Sequence, residues 1–217
     1  MSVKRTKYLR KYKEIDAPGL DAINERELEI YGNQEATHIA TAVSYEMGGK
    51  DPLWAVEYFK SEQQEKHLHY LTLGYTNLFY DAECADDATN GFGFEITFRH
   101  LLILGDPEKP AWAAAFLQNI AKYVFKYQNG FDEYHYMSAN GPFRAKTDSD
   151  ITAFVFAIDS EFEELDTPHG HLKFLQLFGI TTQEYQAIED KKYTAKELIE
   201  KHKLTNPLLI TDLFRKS

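Results

Sequence analysis

The sequence predicts an α+β fold: a single mixed domain in which a central β-sheet is packed with helices. Three observations predict it. Phe92, Phe94, Ile96 and Phe98 alternate with Gly93, Glu95, Thr97 and Arg99, the period of two that a strand requires. Trp112, Phe116, Ile120, Tyr123, Val124 and Tyr127 recur at the spacing of one buried helix face. Strand and helix patterns are interspersed without a regular βαβ repeat, which argues against a doubly wound parallel sheet.

The elements follow in order. Residues 1–13 carry Lys4, Arg5, Lys7, Arg10, Lys11 and Lys13 and no acid, so residues 1–16 are expected to be a solvated, frayed extension. The domain proper is expected over 17–217. Asp16 is placed to cap a helix opening at Pro18, with Leu20, Ile23, Glu27 and Tyr31 at helical spacing and Gly32 as its stop. Thr37, Ile39, Thr41, Val43 and Tyr45 alternate as a strand. Asp51-Pro52 resembles an N-cap followed by proline in the first helical turn, predicting a short helix through Phe59. His67–Leu73 is a strand ended by Gly74, and Asp81–Asp87 is an acidic loop. Gly91 and Gly93 allow a close backbone approach or a bulge where the next strand begins.

Further on, Asp106-Pro107 to Pro110 is a turn, and the helix after it stops at Asn129-Gly130. Ile151–Ile158 is a continuous apolar strand, expected to be central, and Leu172–Phe178 is another. Thr181-Thr182-Gln183-Glu184 and Thr194-Ala195-Lys196-Glu197 fit the capping-box pattern and predict two short helices. Leu208–Thr211 is read as a last short strand.

Composition narrows the function. The 217 residues are 43% hydrophobic and 27% charged, enough apolar material to fill a core. The formal charge is −10; outside residues 1–13 there are 18 basic against 34 acidic residues, a charge of −16. So acidic a body repels phosphates and predicts no nucleic-acid partner. No apolar run approaches a membrane span of about 20 residues, and the N-terminus lacks a secretory apolar core. The expected location is the cytoplasm. The one cysteine, Cys84, excludes an internal disulfide and a Cys-rich metal site. It lies among acids, the wrong setting for a reactive thiolate.

Catalytic motifs are absent. There is no nucleophile elbow and no phosphate loop, and the glycines of Gly91-Phe92-Gly93 lead into a strand rather than a helix. The metal candidates are His67/His69 and His169/His171, since imidazoles two residues apart on a strand share a face. The second pair straddles a turn glycine. Glu95, opposite the Phe92–Phe98 face, is read as pairing with Arg99 or a neighbouring strand. A metal-dependent enzyme using His67, His69 and Glu95 is the lesser alternative. The reading is of a non-enzyme without metal or cofactor.

Several motifs together resemble the suppressor-of-fused domain. They are Pro18-Gly19-Leu20-Asp21-Ala22-Ile23, Gly48-Gly49-Lys50-Asp51-Pro52-Leu53, His69-Tyr70-Leu71-Thr72-Leu73-Gly74 and Asn77-Leu78-Phe79-Tyr80-Asp81. The run Gly91-Phe92-Gly93-Phe94-Glu95-Ile96-Thr97-Phe98-Arg99 is the most specific. Ala121–Phe125, Thr167-Pro168-His169-Gly170, Phe174-Leu175-Gln176 and Leu209-Ile210-Thr211-Asp212 follow in the same order. The resemblance implies a protein-binding domain without catalytic activity, and it covers the N-terminal domain of the animal protein. That protein represses Hedgehog signalling and grips a transcription-factor peptide as a strand between two domains. Short members are typical of bacteria, where the family is similar to immunity proteins that accompany toxins.

The resemblance places the partner surface at a sheet edge near Tyr70–Asp81. Its expected anchors are Tyr70, Tyr75, Phe79 and Tyr80, with Asp81, Glu83, Asp86 and Asp87 as a charged rim. The expected partner is another protein, a basic toxin domain encoded nearby being the specific case, since complementary fields speed encounter. A cytosolic regulatory or scaffold protein is the alternative.

Overall fold

The structure is a computed structural model and describes residues 2–41, 45, 48–102 and 111–216. Among the described residues eight strands form one sheet: β1 (Thr37–Ala40), β2 (Ala55–Ser61), β3 (His67–Leu73), β4 (Thr89–Leu101), β5 (Tyr136–Ser138), β6 (Ile151–Ile158), β7 (Glu164–Thr167) and β8 (Gly170–Thr181). Their order is β1-β2-β3-β4-β8-β6-β5, with β7 also paired to β8. All pairs are antiparallel except β4–β8. The helices are α1 (Val3–Lys11), α2 (Pro18–Tyr31), α3 (Ala111–Tyr127), α4 (Thr182–Glu189) and α5 (Ala195–Lys203). The expected α+β class is what the chain adopts.

The alternation in β4 sorts its two faces. Phe94, Ile96 and Phe98 pack with Leu117, Ile120 and Val124 of α3, and with Phe154, Phe156, Leu175 and Leu177, as one core. The opposite face holds two apolar clusters. One joins Ala153, Val155, Phe178 and Ile180 to α4 and α5 through Ile188, Leu198 and Ile199. The other joins Ala55, Leu71, Leu73 and Phe174 to Ile23 of α2. Helices therefore cover both faces. The apolar stripe of α3 is narrower than its aromatic spacing suggests: Ala113, Ala114 and Ala121 lie inside, while Tyr123 and Tyr127 are 37% and 52% exposed.

Between the two clusters of the second face runs a polar strip that the sequence did not reveal as interior. Glu57, His67, His69, Thr97, Arg99, Asp159 and Gln176 are all buried there. At its margin Glu27 of α2 is pushed up to about 9, first by burial and then by the neighbouring Glu57.

Several local expectations hold. Both predicted capping boxes form, Thr181 with Glu184 and Thr194 with Glu197. Gly32 ends α2, although the residue at its N-cap is Ala17 rather than Asp16. Gly91 has φ +54°, and a Cβ there would lie 2.5 Å from the carbonyl oxygen of Tyr75. The register between β4 and β8 shifts between Thr89 and Phe94, at the glycines.

Others need correction. The Asp51-Pro52 pattern opens no helix; Ala55–Ser61 is strand β2, because its alternating residues pair with β3 and fill two faces. β6 lies one strand in from the β5 end rather than at the centre. Leu208–Thr211 makes only a bridge from Thr211 to His100. Residues 2–16 include helix α1, capped by the Ser2 side chain and burying Tyr8, where a frayed extension was expected. The expected strand positions 42–44 and the turn 106–110 lie outside the described residues.

Candidate functional site

The segment joining β3 to β4 is braced from beneath by Glu95. Its carboxylate accepts hydrogen bonds from the Thr72 hydroxyl (2.8 Å), the Gly74 amide (3.0 Å), the Thr76 amide (3.0 Å) and the Thr76 hydroxyl (2.7 Å). Burial raises the Glu95 carboxyl and outweighs these donors, leaving it at about 7. Asn90 holds the next residue, accepting from the Asn77 amide at 2.7 Å. Leu78 then turns inward and Phe79 outward, 48% exposed.

Phe79 meets the 38%-exposed Trp54 edge to face, with ring centroids 5.5 Å apart. Their rims border a groove of about 560 Å³, lined also by Tyr45, Tyr80, Phe92 and Phe125. Large aromatics held by a braced backbone are the composition of protein-binding hot spots. Nothing local in the sequence marked Trp54; its partner is 25 residues away in the chain and meets it only through the sheet.

The acidic rim adjoins this groove and is partly covered. Asp81 lies below the usual carboxylate range, mainly because it accepts from the Glu83 amide and then from the Cys84 thiol. Burial, then Asp81, pushes that thiol up to about 12. Glu83 pairs with Arg5, and Asp86 accepts from the Ser2 hydroxyl. The Tyr8 hydroxyl lies 2.7 Å from His169 Nε2 and accepts from the Asp81 amide at 3.0 Å. Helix α1 thus docks its basic N-terminus on the acids of the loop, an intramolecular contact that composition alone had split into tail and body.

The expected anchors divide. Phe79 is exposed and Tyr80 half-buried, both at the groove, but Tyr70 and Tyr75 are 0% and 2% exposed. Tyr70 belongs to β3, which lies between β2 and β4 and is no edge. The candidate surface is therefore the face of the loop rather than a free strand. Asp81 is half-buried, and Glu83, Asp86 and Asp87 are exposed.

The histidines are occupied. His67 Nε2 is 3.1 Å from Arg99 and its Nδ1 is 2.7 Å from the Glu65 carbonyl. His69 Nε2 is 3.0 Å from Asp159 and its Nδ1 is 2.5 Å from the Tyr31 hydroxyl. Burial, then Arg99, lowers His69 to about 4. His169 contacts Tyr8 and the Asn77 carbonyl, while half-buried His171 faces Asp166 and Glu164. Glu95 serves the neighbouring strand and loop, and Arg99 pairs instead with Asp159 and Glu161. Asp159 was the missed residue; its signal is a lone acid directly after the apolar run Ile151–Ile158. No cluster of three His, Cys, Asp or Glu fit to hold a metal occurs among the described residues.

Comparison with known proteins gives the same direction. The family model described as suppressor of fused protein (SUFU) matches residues 49–216. The suppressor of fused homolog of Homo sapiens is 30% identical over 211 residues, covering 91% of this chain and 43% of the human protein; the Mus musculus homolog matches equally. The chain thus spans less than half the length of these relatives. A chain in the structure titled the Sufu-Fu complex superposes with a TM-score of 0.83 at 25% identity, covering 93% of both chains. Drosophila Suppressor of Fused gives 0.82 at 25% identity over 94% of this chain and 52% of its own. A Neisseria gonorrhoeae homolog shares the fold, with a TM-score of 0.59 at 12% identity over 92% of this chain and 96% of its own. The chain belongs to the suppressor-of-fused family.

Proposed function

We propose that this chain is a non-catalytic protein-binding domain that takes a segment of a partner protein into the groove between Trp54 and Phe79. The observation that carries this reading is the exposed pair of aromatic rings on a loop braced by Glu95. Buried His67, His69, Arg99 and Asp159 bond to one another and tie the strands together, a structural task away from the groove. A related protein has been crystallised in a complex titled Sufu-Fu, consistent with a protein ligand for this one.

The specific form of the proposal is a cytoplasmic immunity protein of bacteria that neutralises a basic toxin encoded nearby. The acidic balance outside residues 1–13 supports it, because complementary charge accelerates encounter. The test is co-expression with the neighbouring reading frame, followed by measurement of the complex. The expected result is rescue from toxicity and a tight complex whose association slows steeply with salt. Trp54→Ala and Phe79→Ala should each weaken it by about 10-fold or more, as loss of an aromatic anchor does. If that neighbour is harmless, or remains toxic and unbound, the immunity form fails and a cytosolic regulatory scaffold takes its place. If a bound partner is indifferent to both aromatic variants, the groove is not the site.

A further inference from the structure

The groove between Trp54 and Phe79 narrows its occupant by its own chemistry. Both rings share it with Tyr45, Tyr80, Phe92 and Phe125. The ring pairs there meet at steep angles: 82° for Trp54 with Phe79, 83° for Tyr75 with Phe92, 66° for Tyr45 with Phe125 and 59° for Phe92 with Phe125. None of these pairs is parallel, so the groove offers corners rather than a flat-walled slot. An aromatic face carries the negative part of the ring quadrupole and attracts positive charge. Tyr45, Trp54 and Phe79 are all exposed at the mouth, which leaves part of each ring open to a ligand.

The charges around these rings have one sign. Asp81 is the carboxylate of the groove wall, and no lysine, arginine or histidine lines the groove among the described residues. Asp81 Oδ1 accepts from the Glu83 amide at 2.8 Å and Oδ2 from the Cys84 thiol at 3.2 Å. A carboxylate has about four acceptor sites, so these bonds leave capacity for a further donor. Helix α3 ends at the same place: Phe125 lies in its last turn, Gln128 directly follows it, and both line the groove. A helix C-terminus carries partial negative charge. The aromatic faces, the carboxylate and the helix end thus act together, on a chain whose formal charge is −10. The adjoining rim already takes one cation from this chain, since Arg5 pairs with Glu83.

We infer that the groove is an aromatic cage for a cation, and that the partner segment it takes is anchored by a lysine side chain whose ammonium sits between the rings and Asp81. This rests on the reading of the groove as the partner site and adds the chemistry of the anchor. An ammonium is compact and fits a corner, whereas the flat guanidinium of arginine stacks on a ring face and calls for parallel walls. The four-carbon stem of lysine lies along apolar surface while its charge stays at the polar end. An apolar anchor would fill the same space but would take water from Asp81 and return no partner, which costs free energy.

The test titrates the full chain, isotopically labelled, with blocked pentapeptides Gly-Ser-Xaa-Ser-Gly carrying lysine, norleucine or arginine at the centre. Norleucine keeps the lysine stem and lacks the ammonium. The lysine peptide should move the indole N–H signal of Trp54 and the amide signal of Phe79. The norleucine peptide should bind there at least about 10-fold more weakly, a factor equal to roughly 1.4 kcal/mol. The arginine peptide should fall between them. Asp81→Asn should weaken the lysine peptide and leave the norleucine peptide unchanged. Should that variant unsettle the loop, Phe79→Leu keeps an apolar side chain, removes an aromatic face and should act in the same direction. The lysine anchor is overturned, with the groove still standing as a partner site, if norleucine or arginine binds at Trp54 and Phe79 as tightly as lysine. Both readings are overturned if no peptide moves either signal, or if the shifts are confined to Glu83, Asp86 and Asp87.

Discussion

The guanidinium of Arg99 lies 3.2 Å from the carboxylate of Asp159, and neither side chain is reached by solvent. Arg99 is the last residue of the Gly91–Arg99 motif, and Asp159 follows the apolar strand β6. Asp159 also accepts from the Thr97 hydroxyl at 2.7 Å and from the amides of Glu161 and Phe162 at 2.9 and 3.0 Å. Burial raises its carboxyl, but His69, Arg99 and these donors overcome that and hold it well below the usual range. The pair ties β4 to the β6–β7 connection across β8.

Breaking this pair from one side should be costly. Asp159→Ala leaves the buried guanidinium with Glu161 as its remaining carboxylate partner and empties the acceptor site of Thr97 and His69, and the expected loss is about 3–5 kcal/mol in urea unfolding. Arg99→Met combined with Asp159→Leu should lose less than the single Asp159→Ala variant, because both fully buried charges go together and the Glu161 carboxylate left behind is partly reached by solvent. Equal losses would mean that packing rather than charge governs the site.

The pH dependence has opposite signs at two buried groups. His69, lowered to about 4 when folded, charges more readily in the unfolded chain, so its contribution falls as pH drops from about 6.5 to 4. Glu95, raised to about 7, binds its proton more tightly in the folded chain. Its contribution is full below about 4.5 and is lost as pH rises through 7, by up to roughly 3 kcal/mol. Glu95→Gln should therefore remove a fall in stability between pH 4.5 and 7 and leave the His69 rise visible. An unchanged profile between wild type and variant would contradict this.

Helix α1 is held by few groups and should separate before the sheet does. Tyr8→Phe removes the hydroxyl shared by His169 and the Asp81 amide, weakening the docking of α1 by about 1–3 kcal/mol. Limited proteolysis should then release residues 1–16 faster while the rest resists. We expect residues 17–217 to behave as one cooperative unit; two stable internal fragments of similar size would disprove that.

Protein purified without a histidine tag should carry no stoichiometric zinc, manganese or iron by elemental analysis. The reason is that both ring nitrogens of His67 and His69 already have protein partners, and Arg99 brings positive charge to the same place. One equivalent of metal, lost in His67→Ala with His69→Ala, would reopen the catalytic reading.

Gly91→Ala should destabilise by several kcal/mol, beyond the roughly 1 kcal/mol typical of a glycine replaced in ordinary backbone. The φ of +54° and the 2.5 Å approach to the Tyr75 carbonyl both oppose a side chain. Thermal melting measures it, and a change under about 1 kcal/mol would show that the loop can yield.

Local order in this chain was legible wherever a residue's neighbours in sequence are also its partners in space. The two capping boxes, the glycine stop of α2 and the face of β4 bearing Phe94, Ile96 and Phe98 all belong to that class, because caps and strand alternation act over a few residues. The family, too, was legible, since its motifs are linear. Tertiary structure decided the rest. Glu95, Thr97 and Arg99 form the polar face of β4, and all three are fully buried. Alternation separates two faces of a strand but does not say what covers each one. Covering came from α2, from the turn after β6 and from Asp159, 60 residues beyond Arg99. The same holds at the candidate site. Tyr70 and Phe79 are both aromatic and nine positions apart, and only their places in the sheet order make one core and the other groove. The basic segment 1–13 and the acidic loop 81–87 were read as independent charges; folding brings Arg5 onto Glu83, because opposite charges far apart in sequence attract once the sheet has set where each lies.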